Sequence, residues 1–123
     1  MFDLHDNEII SYEVNFRNRS MIIRTSYYDS KIADIYFEGV LAHSFKNEMP
    51  YSTILEFKEC DINFFTEDYK NLLEDEISLD WTMDYRTIEE LKEKLLEDKY
   101  RYYTITPSYG LRGWILAKKA EIK

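Results

Sequence analysis

Two adjacent residues near the start of the chain carry side chains suited to chemistry. They are His5 and Asp6, in the stretch LHDNEIISYEVNF from Leu4 to Phe16. An imidazole beside a carboxylate can serve as a general base for a serine or cysteine, and such a nucleophile sits on a strained turn of the GxSxG type. The chain contains no GxSxG. A metal centre needs three or four ligands, and His5, His43 and Cys60 occur with no HxxxH or CxxC spacing to gather them. The reading that remains is conformational. Asp6 and Asn7 are expected to cap the turn into the first strand with their short side chains, while His5 packs at the sheet margin. The alternative is a small hydrolase or metal-dependent enzyme that uses His5 and Asp6.

Other chemistries are excluded on composition. The 3 glycines, at positions 39, 110 and 113, leave no GxGxxG and no phosphate-cradling loop. Glu74, Asp75 and Glu76 with Asp80 and Asp84 form an acidic cluster, but without the DxDxDG spacing or the turn glycine of a calcium loop. A solvated acidic loop is the expectation there. Cys60, the single cysteine, rules out an intrachain disulfide and reads as a small buried hydrophobe. No nucleophile, base and oxyanion-donor set can be assembled, so the protein is expected not to be an enzyme and to need no cofactor or metal.

The elements that would position these residues are read from periodicity. In the first strand Ile10, Tyr12, Val14 and Phe16 alternate with Ser11, Glu13, Asn15 and Arg17, which predicts one buried face. Met21, Ile23, Thr25 and Tyr27 repeat the pattern in a second strand from Met21 to Tyr28, and Ala33, Ile35 and Phe37 in a third from Lys31 to Val40. Short connections between them predict an antiparallel meander. His43 to Pro50 reads as a loop, broken by Asn47 and Pro50. A fourth strand follows from about Tyr51 to Glu59, with Leu55 and Phe57 inward. Thr66-Glu67-Asp68 then predicts a helix start running to about Glu76, and Ile77 to Met83 a strand or extended connection. Thr87 and Glu90 have capping-box spacing ahead of Ile88, Leu91 and Leu95 on one face. Tyr100 to Thr106 and Trp114 to Ile122 make a closing hairpin. The 123 residues fit one domain, 1–123, with a single core. The expected class is α+β: an antiparallel sheet of five to seven strands with two helices, the second packed on one face.

The hairpin loop PSYGLRG, Pro107 to Gly113, holds 2 of the 3 glycines. Gly110 and Gly113 are expected to supply positive φ, so that Tyr109, Leu111 and Arg112 project. Tyrosine and arginine are common interface anchors. The competing reading is an ordinary hairpin with Trp114 turned into the core.

Charge is unevenly placed. The formal net charge is −8, and the segment from Glu59 to Asp98 carries 14 acids against 4 bases, leaving the rest slightly basic. Such a surface repels phosphate backbones and favours cationic partners, so nucleic acid is an unexpected ligand. No apolar run approaches the ~20 residues of a spanning helix, and MFDLHDNE has neither a basic start nor an apolar core. A cytoplasmic protein that does not enter membranes is expected.

These features together carry a family resemblance. LHDNEI before an alternating strand, a meander ending in Phe37-Glu38-Gly39-Val40, and a late helix followed by SYGLRGWILAK resemble small Firmicute toxin-immunity proteins with a His-Asp start and an antiparallel sheet. In that group the late helix is followed by a Gly-x-x-Gly-Trp hairpin. The resemblance spans most of the chain, and Asp61 to Asp84 has no counterpart in it. It implies a neutralising protein partner and no catalytic residues. A cognate toxin, basic if it is a nuclease, would be met by an acidic face, and Glu67, Asp68, Glu74, Asp75, Glu76 and Asp80 are the expected contacts, with Tyr109 and Arg112 on the hairpin. A homo-oligomeric structural module with sheet tyrosines at its interface is a further alternative, and the oligomeric state is not readable from the sequence.

Overall fold

A computed structural model describes residues 3–28, 31–68 and 85–123. In chain order the strands are β1 Glu8–Asn15, β2 Ser20–Tyr27, β3 Lys31–Glu38, β4 Ala42–Lys46, β5 Thr53–Cys60, β6 Arg101–Tyr109, β7 Arg112–Ala117 and β8 Lys119–Ile122. Among the described residues, two helices, α1 Ile62–Asp68 and α2 Ile88–Glu97, lie between β5 and β6. The class is α+β, with an antiparallel sheet of eight strands in the order β4-β7-β6-β5-β1-β2-β3-β8. The sheet has one strand more than the upper end of the five to seven expected, and two departures from the reading account for the difference. Ala42–Lys46 is a strand paired to β7, not a loop, and the last arm divides near Lys118 into β7 and β8.

The two ends of that order belong together. β4 continues β3 after Gly39, and β8 continues β7 after Lys118. Phe37 pairs with Ala120 and Glu38 with Lys119, then Ala42 pairs with Leu116 and Ser44 with Trp114. The Lys118 and Leu41 amides bridge the break, donating to Glu38 and Leu116. One long bent ribbon therefore joins the meander to the closing hairpin, and the sheet closes on itself. Side chains from opposite walls meet inside: the Phe37 ring stands 5.9 Å from Phe57 and 5.6 Å from Tyr103. This interior holds Ile9, Met21, Ile23, Ile35, Ile54 and Ile115 as well.

A second core lies outside the closed sheet, under the helices. Phe65 of α1 and Leu91 and Leu95 of α2 cover Tyr102, Trp114 and Leu116. Strands β6 and β7 are thus buried on both faces, which explains the nearly unbroken apolar run Trp114 to Ala117. Thr87 caps α2 as expected, its hydroxyl accepting from the Glu90 amide at 3.1 Å. The helix ends with the Lys99 and Tyr100 amides returning to Leu96 and Leu95, and Lys99 takes the left-handed position at φ 63 that glycine usually fills.

Several faces differ from the simple alternation. A bulge between Ile9 and Ser11 inserts one residue in β1, so Ile9 is buried and Val14 half-buried while Ile10 turns out and Tyr12 stays exposed. Phe16 lies past the strand end and is exposed. Paired irregularities in β5 do the same, putting Ile54 and Phe57 inside and Leu55 outside. Helix α1 starts at Asp61, whose carboxylate accepts from the Asn63 amide at 2.8 Å, and Thr66 is buried within the helix. The continuation expected to about Glu76 and the segment Ile77 to Met83 lie outside the described residues.

Candidate functional site

His5 and Asp6 form a turn. The Asn7 amide donates to Leu4 O at 3.0 Å, and Asp6 sits at φ 70, the left-handed value a tight turn needs in its third position. The His5 ring is 3.1 Å from the Asp6 carboxylate, with both side chains more than half exposed. The turn is held from both sides: Leu4 is buried, and the Asn7 side chain is buried and donates to Thr25 Oγ1. The Asp6 amide joins β5 through Ile54 O. The pair thus leads the chain into β1. Asp6→Gly is expected to hold stability within about 0.5 kcal/mol, while Asp6→Val loses about 1–3 kcal/mol at a left-handed position. Urea unfolding of the two variants checks this.

The hairpin is only partly as expected. Gly110 has φ 82, and a side chain there would strike Ser52. Gly113 has no positive φ; it is required because a Cβ would meet the Phe45 ring and the Ser44 carbonyl on β4. Leu111 does not project. It is 4% exposed, and its amide donates to Ser52 Oγ, which in turn donates to Met49 O. Trp114 is buried, edge-on to Phe65 at 5.0 Å. Tyr109 and Arg112 are exposed. Glu67 and Asp68 are exposed on α1, on the same side of the sheet as Trp114 and Arg112. Glu74, Asp75, Glu76 and Asp80 lie outside the described residues.

The fold also assembles a surface that no sequence pattern marks. A groove of about 450 Å³ runs between β1 and the loop before β5, lined by Ile10, Tyr12, Met49 and Tyr51 among others, with Glu8 and Glu48 in its wall. Ile10 is 53% exposed, Met49 47% and Tyr51 76%. The β1 bulge is what turns Ile10 outward, and Tyr51 holds the left-handed backbone at φ 66. Tyr12 braces the groove: its ring meets Phe45 edge-on, and its hydroxyl donates to the Glu48 carboxylate. That hydrogen bond, with burial and the Glu48 charge, raises the Tyr12 pKa above its usual value. His43 lies against Phe45, and burial lowers its pKa against the opposing pull of Glu48. Beyond Ile10, the outer face carries exposed Ile32 beside the Arg24–Asp34 ion pair at 3.0 Å.

Among the described residues no three His, Cys, Asp or Glu side chains are grouped to hold a metal ion. Also among the described residues, no helix is long and apolar enough to cross a membrane. No protein-family model matches the chain, and no curated protein is significantly similar to it.

Proposed function

We propose that this is a small binding protein that acts by covering a partner protein, and that the partner is a cognate toxin against which it confers immunity in the cytoplasm. The observation that carries the binding reading is the exposed apolar groove of Ile10, Met49 and Tyr51, walled by Glu8 and Glu48. Exposed tyrosine and aliphatic side chains grouped around a concavity are typical of interface centres, and the two acids in its wall favour a basic partner. A stable interface needs about 800 Å² from each partner, about a tenth of the 8043 Å² surface. The toxin assignment rests on the His-Asp start and the SYGLRGW hairpin. In this reading Glu67 and Asp68 steer the approach of the partner, and the groove makes the contact.

The test is titration with a purified candidate toxin domain taken from the product of the gene immediately upstream. Ile10→Lys and Tyr51→Lys change exposed side chains and are expected to keep the fold. Each is expected to weaken binding by about 30-fold or more, as hot-spot losses of about 2 kcal/mol and upward require. Glu67→Lys with Asp68→Lys is expected to slow association and flatten its salt dependence, leaving dissociation unchanged. Unchanged affinity in both groove variants would sink the placement. A chain that dimerises through the groove and ignores the toxin would sink the immunity reading.

A further inference from the structure

We propose that the groove on the opposite wall, between β4, β7 and β6, is a binding site for a small ligand bearing an oxyanion, a phosphate or carboxylate group. This goes beyond the immunity reading and does not depend on it. The groove is about 420 Å³ and is lined by Lys46, Arg112, Ser44, Thr104, Thr106 and Trp114 among others.

The first observation is register. Lys46 on β4 and Arg112 on β7 are direct cross-strand partners. Directly opposed residues bring their Cβ atoms within about 5.5 Å of each other, and like charges so placed destabilise the pair. The chain has 24 acids to 16 bases, so neutralising partners are plentiful. Yet none of the ion pairs among the described residues involves either cation. Glu48, the acid nearest Lys46 in sequence, accepts from the Tyr12 hydroxyl instead. An anion between the two cations removes the repulsion and gains both attractions.

The second observation is what surrounds them. Ser44 and Lys46 alternate onto the same face of β4, as Arg112 and Trp114 do on β7 and Thr104 and Thr106 on β6, and the pairing Ser44–Trp114–Thr104 sets them side by side. Three hydroxyls thus stand beside two cations over a buried indole. A guanidinium fork offers paired donors to phosphate or carboxylate oxygens, and an ammonium adds a mobile charge. The Ser44 and Thr106 hydroxyls add donors beside the two exposed cations, while Thr104 Oγ1 lies 3.6 Å from Cys60 Sγ. Gly113 keeps this geometry, since it lets β4 approach β7 closely enough for Lys46 to oppose Arg112.

The experiment uses the whole chain and two probes, inorganic phosphate and glutarate, each compared with sodium chloride at equal ionic strength. Either probe is expected to raise the melting temperature saturably beyond the chloride control and to shift the Trp114 indole resonance. Which one does so identifies the oxyanion class. Lys46→Glu turns the opposed pair into an ion pair. It is expected to raise the melting temperature without any probe and to abolish the probe response. Lys46→Gln and Arg112→Gln, which leave the strand faces intact, are each expected to weaken probe binding at least tenfold. A wild-type response to phosphate and glutarate no larger than to chloride overturns the site, as does an undiminished response in the two glutamine variants.

Discussion

Replacing Phe37 with alanine is expected to destabilise the protein by about 3–5 kcal/mol, read as a lower urea midpoint at an unchanged slope. Phe37 is 1% exposed and its ring lies between Phe57 of β5 and Tyr103 of β6. Those three rings come from strands on opposite walls of the closed sheet. Deleting one leaves a void that backbone closure on every side prevents from collapsing, so the loss is expected toward the top of the range. Phe57 and Tyr103, nearly parallel at 6.0 Å, would lose their common edge-on partner. A loss below about 1 kcal/mol, the size of an exposed substitution, would mean that the interior is not closed as described.

Trp114→Ala is expected to cost a similar amount, about 3–5 kcal/mol, through a different part of the molecule. Trp114 belongs to the outer core, where it holds Phe65 and shares the layer with Leu91 and Leu95. Its removal is expected to loosen the helices first, so amide exchange in α2 would accelerate while the β2 and β3 amides keep their protection relative to global unfolding. Phe37 and Trp114 lie in separate clusters with different ring partners. The double variant is therefore expected to lose the sum of the two single losses to within about 0.5 kcal/mol. A larger coupling would show that the two cores are one.

The meander was legible because Met21 and Ile23 in β2 and Ile35 and Phe37 in β3 alternate and are all buried, but the alternation fails at the end of β2, where Ser26 is buried and Tyr27, expected inward, is exposed. The cap at Thr87 was legible because a hydroxyl three residues before an amide donor is a local arrangement. What was hidden depended on partners. The bulge at Ile10 is invisible in a run where Ile9 and Ile10 are both apolar, because only the pairing with β2 decides which turns inward. Ile54 and Leu55 pose the same ambiguity. β4 reads as a loop because Asn47 and Pro50 stand just after it and its five residues mix types, and it becomes a strand because Gly113 leaves room for it on β7. Thr66 suits a helix cap by type, yet Asp61 reaches the amide first. Of the candidate contacts, exposure of Tyr109, Arg112, Glu67 and Asp68 was readable from polarity and turn chemistry. The apolar groove was not, since it needs the bulge in β1 to be known.

The ribbon that closes the sheet also governs how the chain reaches its native state. Ile35 pairs with Ile122, across most of the sequence, and that pairing cannot form from neighbours alone. The β1–β2–β3 meander can assemble locally, but the interior it faces stays open until the last strand arrives to seal it. Proteins dominated by such distant pairings fold in milliseconds to seconds, because the entropy of joining remote segments is lost before their contacts compensate. Until the seam closes, the edge of β3 and the faces of Ile35 and Phe37 are bare to other chains. The period of greatest exposure to misassociation is therefore the interval between formation of the meander and docking of Lys119–Ile122 onto it.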